Sequence, residues 1–191
     1  MNKQTIHNRC SWVNMKNPRY IRYHDEEWGV PQHKDKELFE LLILEGFQAG
    51  LSWECVLNKR ESFRQAFDDF DVEKVSRYDE EKCRQLLNDP NIIRNRLKIN
   101  ASVTNSRIFM QIQKEFGSFD HYIWGFTDRK VVCESFDLRT TSPLSDQISR
   151  DLKKRGMKFV GSTIIYSYLQ AIGVLNAHEK GCDCYKRTQE D

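Results

Sequence analysis

Two cysteines and two histidines near opposite ends of the chain could together bind a metal ion. Cys10 and His24 lie near the start of the 191 residues, and His178 and Cys182, four positions apart, lie near the end. Two thiolates with two imidazoles form a ligand set that tetrahedral zinc prefers. The spacing of Cys10 and His24 matches no standard zinc finger, so buried free thiols and surface histidines remain the alternative, and Cys184 offers a substitute thiol.

Four protein ligands would fill a tetrahedral coordination sphere and leave no position for a water molecule. A zinc ion held in this way would be structural, would join the two chain ends and would not act as a Lewis acid. A zinc hydrolase needs an open metal position and a nearby base. It is the weaker hypothesis, because the sequence contains no His-Glu-x-x-His motif.

A carboxylate and a group of aromatic residues in the first third of the chain could recognise a planar, positively charged base. Glu45 follows four apolar residues and precedes Gly46, so it is either a solvated helix end or a carboxylate that faces a pocket. In a pocket it could accept hydrogen bonds from a base amine and stabilise positive charge. Aromatic faces stack on bases and attract cations, although any single aromatic residue more often belongs to the core. The aromatic residues are Trp12, Tyr20, Tyr23, Trp28 and Trp53.

Two groups of basic residues could bind phosphate. Arg94, Arg96 and Lys98 follow a turn signal at 88–91, and a second group occupies 153–158 around Gly156. A turn that leads into a helix N-terminus with flanking cations can bind phosphate through backbone N–H groups and the helix dipole. Solvated helix faces explain most such charge runs, so neither group alone identifies a partner.

The apolar spacing and the capping residues predict the elements that must position these groups. Strand signals are few and hairpin dipeptides such as Asn-Gly are missing, so the sequence favours an all-α bundle. Helices are predicted over 36–45 after Asp35, from Ser52 towards 67, over 79–87, over 93–112, over 119–126, over about 144–155 and from 162 to about 173, with an extended segment at 130–133.

The composition is that of a polar globular protein. Hydrophobic residues make up 39% and aromatic residues 12%, and 30 basic against 28 acidic residues give a net charge of +2, so any anionic partner must be recognised by a local patch. No segment has the roughly 18 apolar residues that a membrane span needs, and the first ten residues lack the apolar region of a secretory signal. We therefore expect a cytoplasmic protein without membrane contact.

Five blocks rich in Trp, Cys and His are the most distinctive motifs of the chain. They read RCSW at 9–12, YIRYHDEEWGVP at 20–31, LEGFQAGLSW at 44–53, KRGMKFVG at 154–161 and NAHEKGC at 176–182. Taken together, over nearly the whole chain from residue 10 to 185, they resemble the DNA-3-methyladenine glycosylase I family.

The resemblance implies an all-α, helix-hairpin-helix DNA glycosylase-like bundle whose N- and C-terminal segments are joined by a structural zinc clip, with one zinc ion per chain. The implied zinc ligands are Cys10, His24, His178 and Cys182. The implied base pocket contains Glu45 and Tyr23 as hydrogen-bonding groups and Trp53 as the stacking group, surrounded by Trp12, Tyr20 and Trp28.

The resemblance also implies where DNA is contacted. The hairpin falls at 89–93, where Asn91 replaces the glycine-rich turn of the wider superfamily; asparagine can adopt the left-handed conformation. Leu51, between Gly50 and Ser52, is predicted to probe the gap in the duplex, with a capping apolar contact as the alternative. The predicted DNA contacts are Gly50, Leu51, Asn91, Arg94, Arg96 and Lys98.

The implied reaction is hydrolysis of the N-glycosidic bond of 3-methyladenine in alkylated double-stranded DNA, which releases the base and leaves an abasic site. No lysine follows the hairpin where a Schiff-base nucleophile would stand, so no lyase step is expected; Asp120 is the nearest aspartate and nothing marks it as catalytic. The alternative is a non-catalytic, zinc-clipped nucleic-acid module that recognises modified bases.

The resemblance extends to domain organisation. We expect one compact glycosylase unit over 1–191, with a helical region that includes the hairpin at about 34–155. A zinc-clipped terminal region would then combine 1–33 with about 156–191. A monomer is expected.

Overall fold

The computed structural model describes residues 8–133 and 139–187 and is mostly helical. None of the helices in these two stretches is long and apolar enough to cross a bilayer. The helices are α1 (Pro18–Glu26), α2 (Asp35–Gln48), α3 (Trp53–Asn58), α4 (Arg60–Ala66), α5 (Val72–Ser76), α6 (Glu80–Asn88), α7 (Arg96–Phe116), α8 (Phe119–Gly125), α9 (Pro143–Lys154), α10 (Ser162–Ala171) and α11 (Cys184–Arg187). A 3₁₀ turn spans Asp68–Phe70, and the strands are β1 (Val132–Cys133) and β2 (Leu175–Asn176).

The prediction of a helical bundle is confirmed, with one short parallel ladder in addition. Val132 pairs with Leu175 and Cys133 pairs with Asn176, so the extended segment predicted at 130–133 is present. This ladder joins the chain after α8 to the chain after α10.

Capping residues set several helix starts as predicted. The side chains of Ser52, Asp79 and Ser118 each accept the backbone N–H three residues further along, at the starts of α3, α6 and α8. Asp35 differs, because it is the first residue of α2. Its carboxylate instead accepts the first two backbone N–H groups of α8, at 2.9 Å each, and so ties α8 to α2.

Several predicted helix boundaries are wrong, and the long helix ends at Phe116 and not at 112. The helix predicted from Ser52 towards 67 is broken at Lys59 into α3 and α4. The long helix begins at Arg96 and not at 93, since the preceding residues form the turn after α6. The break predicted at Gly46 does not occur, and α2 continues to Gln48, because Phe47 is buried in the core and extends the apolar surface of the helix past the glycine.

Helix α2 lies at the centre of the core. Leu38, Phe39, Leu42 and Leu44, which together cover all sides of the helix, are each at most 1% exposed. Helices α3, α7, α8 and α10 all pack against it. A helix that is apolar on every side is stable only when it is surrounded in this way, and the surroundings extend to its last turns, where Glu45 lies.

The two chain ends pack against each other and against the end of α10. The backbone N–H of Gly29 donates to Gln170 O and that of Gln32 donates to Ile172 O, both at 3.0 Å. Ser11 donates its backbone N–H and its hydroxyl to the carboxylate of Glu179, at 2.8 and 2.6 Å. The segment before α2 is thereby fixed beside α10.

Replacement of Gly173 by alanine should destabilise the fold by more than about 2 kcal/mol. Gly173 has a φ of +77°, and a Cβ there would lie 2.5 Å from backbone atoms of Val30 and Pro31. Urea unfolding of Gly173→Ala measures the loss. Gly125→Ala is the matched control, since no heavy atom lies within 4 Å of its Cβ position; equal stability of the two variants would contradict the close approach.

Candidate active site and cysteine–histidine cluster

The cysteines and histidines from the two chain ends meet in one buried cluster. The ligand atoms of Cys10, His24, His178 and Cys182 all lie within 4.8 Å of one another. Cys10 Sγ lies 3.5 Å from His178 Nδ1, and Cys182 Sγ lies 3.5 Å from His24 Nε2 and 3.7 Å from His178 Nδ1. Sulfur and nitrogen ligands on a tetrahedral zinc ion, with bonds of about 2.3 and 2.0 Å, are themselves about 3.5 Å apart. The donor set and its spacing therefore fit a zinc ion.

The second nitrogen of each histidine ring has its own partner. His24 Nδ1 lies 2.8 Å from the carboxylate of Asp25, and His178 Nε2 lies 3.3 Å from Trp28 O. Such partners orient the ring so that the other nitrogen faces the cluster. Arg9 holds the Asp25 carboxylate with three contacts of 2.6 to 3.0 Å. Although burial raises the pKa of Asp25, the hydrogen bonds from Arg9 and His24 lower it below its usual range.

Cys184, the substitute thiol, is buried next to the cluster. It forms an overlapping group with His24 and Asp25, and its backbone N–H lies 3.4 Å from Cys182 Sγ. Cys184 therefore donates a backbone hydrogen bond to the Cys182 sulfur.

A cavity of about 290 Å³ lies beside the cluster, and the structure brings all six predicted pocket residues to its walls. They are Trp12, Tyr20, Tyr23, Trp28, Glu45 and Trp53. The other lining residues are Gln48, Arg139, Thr140, Thr163, Tyr166, Ser167, Gln170 and Ala177. The cavity is thus built from the N-terminal segment, the end of α2, the start of α3 and one face of α10.

Glu45 is a buried carboxyl group and not a solvated helix end. It is 2% exposed, and burial raises the pKa of Glu45 to about 8. Its Oε2 atom is buried without a hydrogen-bond partner in the described part of the chain, and so is Nε1 of Trp53. An unpartnered buried donor or acceptor costs roughly 1–3 kcal/mol. Two such groups in the wall of one cavity are suited to a ligand with complementary polar atoms.

Tyr23 lines the cavity, and the next residue, His24, belongs to the cluster. Its ring lies 5.2 Å from that of Trp53, at an angle of 46°. Burial, and then the nearby Glu45 charge, raise the pKa of Tyr23 well above its usual value, so its hydroxyl remains protonated. The last turn of α1 therefore directs Tyr23 towards the cavity and His24 towards the cluster.

Trp28 belongs to both sites. Its ring lies 4.8 Å from that of Trp12 in the cavity wall and packs edge-on to His178 of the cluster at 4.6 Å. A change in the position of His178 would therefore move the cavity wall.

Helix α10 supplies four lining residues that the sequence analysis missed, namely Thr163, Tyr166, Ser167 and Gln170. Their separations of three, four and seven residues place them on one helix face. That spacing of polar residues, within an otherwise apolar helix, was the available signal.

The hairpin between α6 and α7 differs in detail from the prediction. Asn91 is exposed and does not adopt the left-handed conformation. The turn is instead stabilised by the carboxylate of Asp89, which accepts the backbone N–H of Asn91 at 2.8 Å. Arg94 and Arg96 are exposed on either side of Asn95, the N-cap of α7.

Lys98 does not behave like its exposed neighbours. It is 7% exposed, and its ammonium group donates to Phe47 O at 2.8 Å and to Ala49 O at 2.5 Å. These backbone carbonyls hold its charge inside the protein, so the direct DNA contact predicted for Lys98 stays a prediction that these internal contacts do not favour.

The turn between α2 and α3 presents an apolar side chain to solvent. Gly50 has a φ of +78°, and Leu51 is 42% exposed with its backbone N–H donating to Gln48 O. The turn links Glu45 on α2 to Trp53 on α3, and so lies next to the cavity.

Asp120 is tied to groups outside the cavity. Its carboxylate lies 2.7 Å from His33 Nδ1 and accepts a hydrogen bond from Arg129 at 2.9 Å. It is not among the lining residues of the cavity, in agreement with the absence of any catalytic signal in the sequence.

Comparison with known proteins gives consistent matches over most of the chain. The methyladenine glycosylase family model matches residues 12–186. The DNA-3-methyladenine glycosylase 1 of Escherichia coli K12 is 45% identical over 181 residues, covering 93% of this chain and 96% of that protein. A crystal structure of 3-methyladenine DNA glycosylase I superimposes with a TM-score of 0.89 at 44% identity, covering 93% and 99% of the two chains.

A solved structure from Staphylococcus aureus is described as showing the structural basis of 3-methyladenine recognition by its glycosylase I. It superimposes with a TM-score of 0.88 at 36% identity and covers 92% of this chain and 95% of that one. Sequence and fold agree over the same residues, and the chain belongs to the methyladenine glycosylase family.

Proposed function

We propose that this protein excises 3-methyladenine from alkylated double-stranded DNA by hydrolysing the N-glycosidic bond, and that it has no lyase step. The observation that carries the proposal is the buried carboxyl group of Glu45, whose Oε2 atom has no partner among the described residues, beside Trp53 in an aromatic cavity. Membership of the methyladenine glycosylase family supports the same reaction.

The proposed substrate base carries the positive charge and the polar edge that complement this cavity. A purine methylated at N3 in DNA carries a positive charge, which also weakens its N-glycosidic bond. Once the nucleotide is flipped out of the duplex, Trp53 stacks on the base, and Glu45 and Tyr23 bond to its edge. The cationic base favours the ionised form of Glu45, whose pKa burial otherwise raises to about 8.

Bond cleavage moves positive charge from the base to the sugar. Water attacks the anomeric carbon and releases a proton to solvent, and the bonding electrons leave with the base, which departs as a neutral molecule. The Glu45 carboxylate, itself buried, stabilises the positive charge shared by base and sugar. The DNA phosphates next to the lesion stabilise the sugar cation from outside, so the reaction needs no carboxylate at Asp120.

The cysteine–histidine cluster holds a structural zinc ion in this proposal. Cys10, His24, His178 and Cys182 bind it, and the four protein ligands leave no open position for chemistry. The metal supplies a rigid junction between the chain ends and takes no part in bond cleavage. Trp28, which contacts His178 and lines the cavity, would hold the cavity wall in place when the four ligands are fixed by the ion.

DNA lies across the hairpin and the Gly50–Leu51 turn in the proposed complex. Arg94, Arg96 and Asn91 are exposed at the start of α7, where backbone N–H groups and the helix dipole favour phosphate. Leu51 enters the space that the flipped nucleotide leaves. The protein acts as a monomer and as one compact unit, with the helical region 34–155 and the terminal segments as predicted.

Glu45→Gln should reduce release of free 3-methyladenine from methylated duplex DNA by about 10- to 100-fold, because a hydrogen bond to a charged group contributes about 1.5–3 kcal/mol. Base release is measured by chromatography, and the strand should stay intact until the abasic site is cleaved chemically. Binding to an abasic duplex should be nearly unchanged.

Glu61→Gln, at an exposed carboxylate of α4, is the control and should retain full activity. Normal excision by Glu45→Gln would contradict the role of the carboxylate. A wild-type protein that binds methylated DNA but releases no base would be the non-catalytic module.

The stability of the wild type should fall as pH rises from about 4.5 to about 8, relative to Glu45→Gln. In this window the folded protein keeps a proton on Glu45 that the unfolded chain has released, because burial raises the folded pKa. The stabilisation by this retained proton is complete below about pH 4.5. Between about pH 4.5 and about pH 8 it decreases by up to ~1.4 kcal/mol per pH unit. Urea unfolding at pH 5, 6.5 and 8 tests this, and parallel profiles for the two proteins would refute it.

Metal analysis should find about one zinc ion per chain. Cys182→Ser should lower the melting temperature more than it lowers the activity of each folded molecule, because the ion stabilises the fold and does not react. Cys133→Ser, at an exposed cysteine, is the matched control. A zinc-free protein with an unchanged melting temperature would exclude the structural ion.

A further inference from the structure

Lys98 is an interior cation that connects the hairpin helix to the end of α2. It lies in the first turn of α7, where the side chain of Asn95 accepts its backbone N–H. Its ammonium group reaches the carbonyls of Phe47 and Ala49, which belong to the C-terminal end of α2. The last carbonyls of a helix have no partners within the helix and carry partial negative charge. Lys98 satisfies two of the carbonyls at this end from a different helix.

The surroundings fix Lys98 in this position. The ring of Phe159 lies 5.9 Å from its ammonium group. The side chain of Asn105, two turns further along α7, both donates to and accepts from the backbone of Lys158, at 2.8 Å each. The loop that covers Lys98 is therefore bonded to the same helix.

A second lysine makes the reverse connection. Lys59 lies between α3 and α4, and its ammonium group donates to Asn91 O at 3.0 Å and to Pro90 O at 3.3 Å in the hairpin turn. Lys98 thus reaches from the hairpin helix to the residues before Leu51. Lys59 reaches from the helices after Leu51 back to the hairpin.

We propose that Lys98 and Lys59, together termed the lysine clamp, are positioning residues that set the separation between the hairpin turn and Leu51. Neither lysine contacts a DNA phosphate in this proposal. The inference rests on the proposed function, because it assumes that the hairpin and Leu51 engage the same duplex. Both ammonium groups are directed at backbone carbonyls, which is the arrangement expected of groups that hold two turns in register.

The separation matters because the two contacts act on one rigid partner. Phosphates held at the hairpin fix the duplex relative to α7, so Leu51 enters the gap only if the α2–α3 turn is correctly placed. Errors of about 1 Å in such arrangements lower rates by about 100-fold. Rigid support of an exposed side chain also reduces the ordering cost on binding.

A double-mutant cycle with Leu51→Ala tests the clamp. The binding of a duplex that contains a stable abasic-site analogue is measured for Lys98→Met, Lys59→Met, Leu51→Ala and the two combinations. Each lysine variant alone should weaken binding by about tenfold or more. In the Leu51→Ala background each lysine change should have less than about a twofold effect, since no inserted side chain remains to be positioned.

The same measurements exclude a phosphate role. A lysine that binds phosphate would weaken binding equally in both backgrounds and would lower the salt dependence by about 0.9 per contact. That result would overturn the proposal. Because the buried Lys98 contributes to folding, Lys59→Met, whose side chain is only half-buried, provides the same test if Lys98→Met does not fold.

Two further measurements separate the clamp from the proposed function. Binding of free 3-methyladenine, followed by tryptophan fluorescence, should be unchanged in the lysine variants, because neither lysine lines the cavity. Lys114→Met, at the exposed far end of α7, is the control and should bind the duplex as the wild type does. If the wild type neither binds the abasic duplex nor releases base, the proposed function fails; normal wild-type binding with additive lysine effects overturns the clamp alone.

Discussion

The burial of a carboxyl group in the last turns of a largely buried helix is the constraint on which the site depends. Helix α2 is surrounded by packed helices, so Glu45 cannot reach solvent, and burial raises its pKa to about 8. The ionised form becomes favourable when a cation occupies the cavity. A neutral purine offers no such compensation, so the same burial that disfavours the charge provides selectivity for a cationic base under the proposed function.

The chain ends form the cavity walls that face the end of α2. Trp12 and Trp28 form cavity walls, and both also pack on the histidines of the buried cluster. Tyr23 and His24 are adjacent residues that serve the two sites. Under the proposed function, the residues that would hold a structural ion also fix the cavity walls, because Trp12 packs on His24 and Trp28 packs on His178.

Local signals in the sequence predicted the helix starts at Ser52, Asp79 and Ser118, because a cap depends on residues within one turn. The resemblance of the motif blocks to a known family implied the cavity residues and the cysteine–histidine cluster. The partner of Lys98 was not predictable, since its charge is held by carbonyls 49 and 51 residues away in sequence. The break at Lys59 and the continuation of α2 past Gly46 likewise depend on packing between distant segments.

Recognition of the base and insertion into the duplex are carried by one short segment. Glu45, Leu51 and Trp53 lie within nine residues, and the carbonyls that Lys98 holds lie between the first two. The Gly50–Leu51 turn therefore directly joins the segment that lines the cavity to the side chain that is proposed to enter the duplex. In the proposed complex, the depth to which Leu51 enters the gap sets the position of the flipped nucleotide relative to Glu45, so strand insertion and base selection form a single structural event.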